Sequence, residues 1–93
     1  METLLSLINK RVVLDLRSPY VCIGKLVKVD QDFLTLENAD LHDFRDSPTT
    51  RENYVAAAKT SGIKTNRSKV HVRADEVVAV ALFAHVIDAS SDE

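Results

Sequence analysis

The side chains that could support chemistry in this sequence are three histidines, one cysteine and two pairs of nearby aspartates. The histidines, His42, His71 and His85, are far apart and lack the paired spacing of a zinc site. Cys22 lies within an apolar stretch, so we expect a buried structural thiol, and a single cysteine excludes an internal disulfide. These residues therefore predict no metal site and no cofactor.

The two aspartate pairs, Asp30 with Asp32 and Asp40 with Asp43, have the residue type needed for general acid–base catalysis. No nucleophile, metal-ligand set or glycine-rich phosphate loop accompanies them, and the chain contains only two glycines. Turn formation and solubility explain aspartates in such positions more simply. We therefore predict a protein that is not an enzyme and has no catalytic residues.

Charge is unevenly distributed along the 93 residues, although the formal net charge is only −2. Residues 30–43 contain five acidic and no basic side chains, whereas residues 59–73 contain five basic and no acidic ones. The basic residues are Lys59, Lys64, Arg67, Lys69 and Arg73. This stretch predicts either a loop that contacts nucleic-acid phosphates or an ordinary solvated loop. Because no aromatic residues are interleaved, the pattern alone leaves both interpretations open.

The elements that must position these residues follow from hydrophobic periodicity. The pattern predicts a short helix over residues 3–9 and strands over residues 11–17, 21–29, 33–39, 70–73 and 77–87. Short turns join the first three strands, so we expect an antiparallel meander. Closure would remove exposed strand edges. The predicted fold is mainly β, a small, strongly bent five-stranded antiparallel barrel.

A helical insertion separates the third and fourth predicted strands. Thr49 and Glu52 have the spacing of a capping box, and Gly62 is a natural C-terminal stop. We assign residues 1–93 to a single domain, with an inserted loop and short helix at 44–69 and an acidic tail at 88–93. The sequence has no signal-peptide pattern and no apolar run long enough to span a membrane, which favours a cytoplasmic location.

The last predicted strand is unusual because it is almost entirely apolar. His85 is the one polar residue between positions 77 and 87. An antiparallel strand with one face in water should alternate apolar and polar residues, so both faces of this strand must be covered. We expect a second subunit to cover it; the alternative is the N-terminal helix or the insertion. The candidate interface residues are Val70, Val72, Val78, Val80, Leu82 and Phe83.

Two segments of the chain resemble the sequence motifs of the Sm and Sm-like proteins. The first is Gly24-Lys25-Leu26 with Asp30, followed by residues 34–39, and the second is residues 72–80. The resemblance covers approximately residues 3–87 apart from the insertion. It implies a bent five-stranded barrel that assembles into homo-oligomeric rings through its fourth and fifth strands.

The same resemblance implies a binding site for single-stranded RNA at two turns. Carried over by position, Asp30, Gln31 and Asp32 would lie in the first turn, and Arg73 would lie in the second. A guanidinium group can stack on a base, and the first turn normally supplies a stacking partner and an amide. We therefore predict a ring-forming Sm-like protein that binds single-stranded RNA. Additional candidate contacts from the insertion are Lys59, Lys64, Arg67 and Lys69.

Departures from the family pattern keep other functions open. Asp32 stands at the base-stacking position, the family's recognition Asn has no match, and Phe33 is expected in the core. Ala74 stands where the family has glycine, so a different turn geometry is expected. The alternative function is an Sm-like oligomeric scaffold or protein-interaction module whose inserted helix docks a partner. An unrelated SH3-like barrel is a third interpretation.

Overall fold

The computed structural model describes residues 2–46 and 48–87, and its five strands form one antiparallel β-sheet. The elements are α1 (Glu2–Leu5), β1 (Arg11–Leu16), β2 (Tyr20–Val29), β3 (Phe33–Asp43), α2 (Arg51–Ser61), β4 (Arg67–Arg73) and β5 (Val77–Leu82). The predicted element order is confirmed. No helix in the described part of the chain is long and apolar enough to cross a membrane. The predicted acidic tail lies outside the described residues.

The five strands lie in the order β4-β3-β2-β1-β5, and every neighbouring pair is antiparallel. This confirms the five-stranded antiparallel sheet. In the described chain β4 pairs with β3 alone and β5 with β1 alone, so the sheet is open and closure between its edges is not made within one chain. The connection between β4 and β5 is a three-residue 3-10 turn, which redirects the chain instead of folding β5 back onto β4.

The long strands β2 and β3 bend where their register shifts, between Ile23 and Lys25 and again between Leu26 and Lys28. Gly24 lies at the first shift, where a Cβ atom would stand only 2.9 Å from the Cβ of Ala39. Any side chain at this position would therefore collide with β3.

Both faces of the sheet carry a hydrophobic cluster. The inner face holds the main core, which is covered at one end by partly buried side chains of α1 and the turn after it. On the outer face, Val55 and Ala58 of α2 pack against Val13, Val21 and Ile23 of β1 and β2. The insertion therefore covers half of the outer sheet face with the apolar side of its helix.

The helix α2 begins one residue later than the sequence predicts. Thr50, and not Thr49, is the N-cap: its Oγ1 accepts a hydrogen bond from the Asn53 N–H at 3.1 Å. Gly62 ends the helix with φ 97°, and its N–H donates to the Ala58 carbonyl at 2.9 Å. The predicted glycine stop is confirmed, because this φ is one that glycine adopts without strain.

A buried carboxylate fixes the insertion to the sheet. Asp40 of β3 is 2% exposed, and its two oxygens accept hydrogen bonds from the Tyr54 hydroxyl and, at 3.2 Å, from the Asn66 side-chain amide. Burial and the hydrogen bond to Asp40 raise the pKa of Tyr54, which keeps the phenol protonated. Asp43 instead forms an ion pair with Arg45, whose terminal nitrogen lies 2.8 Å from its carboxylate. Asp40 and Asp43, the second aspartate pair of the sequence, thus make separate structural contacts.

The strand β5 is shorter than predicted, because it ends at Leu82. Residues Phe83–His85 form a 3-10 turn in which the Val86 N–H donates to the Phe83 carbonyl. Phe83 and Val86 pack against the outer cluster beneath α2. The apolar run that the sequence predicts as one strand therefore has two parts. Its first part, Val77–Leu82, is an edge strand, and its second part packs against the outer cluster that contains α2 residues.

Candidate nucleic-acid interface

The two turns singled out from the sequence meet at one end of the sheet. Residues 30–32 connect β2 to β3, and Ala74–Glu76 connects β4 to β5. Phe33 and Arg73 are register partners at the adjoining strand ends, and the Ala74 N–H donates to the Asp32 carbonyl at 2.8 Å. The structure therefore brings Asp30, Gln31 and Asp32 together with Arg73.

Asp30 builds the first turn. Its Oδ1 accepts hydrogen bonds from the N–H groups of Asp32 and Phe33, each at 2.8 Å. The bond from Phe33, and then that from Asp32, lowers the pKa of Asp30 below its ordinary value. This carboxylate is a turn-forming group, and all three residues of the loop are exposed.

Arg73 is engaged by an acidic neighbour in the second turn. Its Nε and one terminal nitrogen each lie 3.3 Å from an oxygen of Asp75. This pairing raises the pKa of Arg73 and lowers the pKa of Asp75. Because both side chains are about two-thirds exposed, the pair is weak and a stronger anionic ligand can displace Asp75.

The turns enclose a cavity of about 200 Å³. Its lining residues are Gln31, Asp32, Phe33, Arg73 and Asp75. We call this volume, defined by these five residues, the turn cavity. One cationic and two anionic side chains line it, so it is a poor site for a phosphate. Phe33 is the one aromatic side chain in its lining.

The strand β4 presents an unpaired edge beside an apolar cleft. Val72 is buried in the core, whereas Val70 is half-buried. The cleft has a volume of about 180 Å³, and its lining includes Leu16, Tyr20 and Leu41 together with both valines. This edge therefore offers backbone hydrogen-bonding groups and a place for an apolar side chain.

The strand β5 presents the opposite edge. Val80 and Leu82 are half-buried against the core, and Phe83 packs beneath α2. Val78 is 67% exposed; it lies at a register shift where Asp15 pairs with Ala79 and Leu16 with Val77. The insertion thus covers the end of the apolar run, as one alternative predicted, while Val78 stays exposed.

The described fold is similar to those of solved Sm proteins. An Sm protein of Pyrococcus abyssii, determined in complex with a uridine heptamer, matches with a TM-score of 0.60 and 17% identity over 87% of this chain and 93% of that chain. The fold is Sm-like. The SmAP1 heptamer of P. aerophilum matches with a TM-score of 0.58 and 24% identity over 87% and 88% of the two chains.

A chain of the NatC complex bound to CoA also matches, with a TM-score of 0.54 and 18% identity over 85% of this chain and 82% of that chain. No protein-family model and no curated protein matches the sequence. The likeness to solved structures shows the Sm-like fold, and it confirms the resemblance found in the two sequence motifs.

Ala74 fits this Sm-like turn without glycine. The segment Ala74–Glu76 is a 3-10 turn, which alanine adopts without strain. Among the described non-glycine residues, positive φ angles occur at Asn9 and Asn38. This turn therefore needs no positive φ at Ala74, and alanine is compatible with it.

The basic residues of the insertion do not form one patch, contrary to the interpretation as a single phosphate-contacting loop. Lys59 is half-buried: its Nζ donates to the Phe83 carbonyl at 2.9 Å and lies 5.2 Å from the centre of the Phe83 ring. Lys64 lines a separate cavity beside α2. Arg67 and Lys69 lie in β4 itself, because the strand begins three residues earlier than predicted.

Sequence reasoning misplaced one aromatic residue of the site. Phe33 is 39% exposed and does not lie in the core as expected. Its ring contacts His71 edge to face, with centroids 6.4 Å apart. The signal was present in the alternation of the strand, because Leu34 and Leu36 point into the core and Phe33 must then point outward.

Phe33 lies on the rim of a second concavity, of about 650 Å³, on the outer face of β2, β3 and β4. We call it the sheet-face groove; its polar, charged and aromatic lining residues are Lys28, Asp30, Phe33, Thr35, Lys69 and His71. Among its lysine, histidine and threonine residues, Lys69 alone was a candidate RNA contact from the sequence.

The remaining candidate for chemistry is the cysteine. Cys22 is fully buried, and burial, with a smaller effect of the Asp40 charge, raises the pKa of its thiol to about 12. The thiol is therefore protonated and inert at neutral pH, as expected of a structural cysteine. In the described ranges, no three His, Cys, Asp or Glu side chains are arranged to hold a metal ion.

Proposed function

We propose that this Sm-like chain assembles into a homo-oligomeric ring through β4 and β5 and that the ring binds single-stranded RNA without catalysis. The observation that supports assembly best is the pair of free sheet edges, each a row of backbone groups without partners in the described chain. The apolar cleft beside β4 and the exposed Val78 on β5 add side-chain contacts to such a pairing.

RNA binding is supported by Phe33, which is 39% exposed at the end of the sheet where the two turns meet and offers a ring on which a base can stack. A ring would repeat this surface once per subunit, so weak contacts with successive nucleotides would add to a higher overall affinity. Two similar proteins agree with the two parts of the proposal: the P. aerophilum protein is a heptamer, and the P. abyssii protein is in complex with a uridine heptamer.

Two measurements test the two parts separately. Native mass spectrometry should give a multiple of the 10.3 kDa chain mass, and a monomer at every working concentration would refute the ring. Fluorescence anisotropy with labelled oligouridine and oligoadenine should show saturable binding that weakens with salt. The absence of binding to either strand at low salt would refute the RNA part and leave the ring intact.

The second candidate function is an oligomeric scaffold that binds proteins and not RNA. The observation in its favour is the turn cavity, where Asp32 and Asp75 outnumber Arg73. A chain of the NatC complex has a similar fold, which supports a role of such chains within protein complexes. The apolar residues of α2 face the sheet, so a protein docked on this helix would meet polar or small side chains such as Glu52, Asn53 and Ala57.

A further inference from the structure

We infer that single-stranded RNA binds this protein in the sheet-face groove, with bases stacked on Phe33 and His71 and phosphates at Lys28 and Lys69. The inference rests on the proposed RNA-binding function and names the surface that performs it. It also predicts that the turn cavity, with its two aspartates, contributes little to binding.

The register of the sheet places the groove residues on one face. Thr35 pairs with Lys28 on one side and with His71 on the other, while Glu37 pairs with Lys69 and Phe33 with Arg73. Directly paired residues in an antiparallel sheet point to the same side. Leu34 and Leu36, between them in sequence, are buried in the core, so this is the solvent face.

Phe33 and His71 form a fixed aromatic platform. The buried Thr35 hydroxyl lies 2.9 Å from the His71 Nδ1, and the Phe33 ring meets the His71 ring edge to face. In the tautomer whose Nδ1 accepts the Thr35 hydroxyl proton, Nε2 carries the ring proton and can donate to a base or phosphate oxygen. Exposed aromatic rings held in place are the surfaces on which single-stranded bases stack.

The charge of the groove is more favourable for phosphate than that of the turn cavity. Two lysines line the groove against one aspartate, Asp30, whose Oδ1 is already occupied by backbone N–H groups. Lys69 lies 4.0 Å from Glu37, and both side chains are about half exposed, so this pair holds the lysine weakly. Lys28 is exposed.

Ring assembly leaves this surface open. Pairing of β4 with a neighbouring strand uses backbone N–H and C=O groups that lie in the plane of the sheet. The side chains of Lys69 and His71 project from the sheet and stay accessible after such pairing. One strand of RNA could then continue from the groove of one subunit toward the next.

The test compares matched variants by anisotropy with labelled oligouridine over a series of salt concentrations. Lys28→Ala/Lys69→Ala should reduce the slope of log affinity against log salt by about 1.4, since each single-strand phosphate contact contributes about 0.7. Phe33→Leu keeps an apolar side chain and should weaken binding at least about fivefold by loss of stacking. Lys10→Ala/Arg45→Ala removes two positive charges from exposed positions outside the groove and the turn cavity and should change neither quantity.

Native mass and circular dichroism of each variant confirm that assembly and folding are retained. Loss of binding in Arg73→Ala, with wild-type binding in Lys28→Ala/Lys69→Ala, would assign the RNA to the turn cavity and overturn the inference while supporting the proposed function. An equal loss in the groove pair and in Lys10→Ala/Arg45→Ala would show general charge attraction and overturn it as well. If the wild-type protein binds no oligonucleotide at low salt, the proposed function itself is refuted.

Discussion

Replacement of Val78 by aspartate should dissolve the proposed ring and leave the protomer folded. Val78 is 67% exposed on the free edge of β5, so an isolated chain loses little when it changes; surface substitutions usually stay within about 0.5 kcal/mol. Full burial of a valine side chain contributes about 1.5–3 kcal/mol. In a ring, burial of the two-thirds of Val78 that is exposed in the protomer would therefore stabilise each interface by about 1–2 kcal/mol. An aspartate there must also be desolvated, which costs several kcal/mol more.

The sum exceeds about 3 kcal/mol, which is more than a hundredfold in the association constant of each interface. Native mass spectrometry and analytical ultracentrifugation measure the assembly, and urea unfolding followed by circular dichroism measures the protomer. Leu5→Asp is the matched control, because Leu5 is 48% exposed on α1 and far from both sheet edges in sequence. A Val78→Asp protein with the same oligomeric mass as the wild type would show that β5 is not the interface.

Three further substitutions probe the fold that positions these surfaces. Gly24→Ala should cost about 1–3 kcal/mol in urea unfolding, because its Cβ would collide with β3; unchanged stability would mean that the strands separate freely. Tyr54→Phe should cost about 1.5–3 kcal/mol by removing a donor to the buried Asp40 carboxylate, measured in the same way. Arg45 lowers the pKa of Asp43 to about 2, so carbon-detected NMR should find this carboxylate still ionised at pH 3. The stabilisation that the ionised carboxylate contributes is fully present above its ordinary pKa and is lost as the pH falls toward 2. Arg45→Ala should raise the pKa of Asp43 in the same experiment.

Local pattern was sufficient to predict the strands and most of their positions. Alternation places Val12 and Leu14 inside and identifies β1, and the short turns predict that the first three strands form an antiparallel meander. These features depend on neighbours within one strand or one turn, where the two-residue period of a sheet is read directly from sequence. The same period would have placed Phe33 outside, opposite to Leu34, had it been applied to the first residue of β3.

Contacts between distant segments could not be predicted from the same pattern. The helix α2 was recognised from its caps, but nothing in the sequence shows that Val55 packs on Val13 or that Tyr54 donates to Asp40. The basic residues between positions 59 and 73 lie in different parts of the structure for the same reason. Lys59 donates a hydrogen bond to the Phe83 carbonyl, whereas Arg67, Lys69 and Arg73 lie in β4.

The packing of α2 determines which surfaces remain for a ligand. On the outer face of β2, the side chains before the bend, Val21 and Ile23, lie beneath the insertion, whereas Lys25 and Lys28 after the bend are exposed. The register shifts at the bend therefore separate an apolar half-face, which is used for folding, from a basic half-face that no described element covers. The edges of the sheet lie outside both halves. Assembly would use the edges and RNA would use the basic half-face, so Lys28→Ala/Lys69→Ala should weaken RNA binding and leave the ring intact. Val78→Asp should dissolve the ring and reduce the RNA affinity to that of a single subunit.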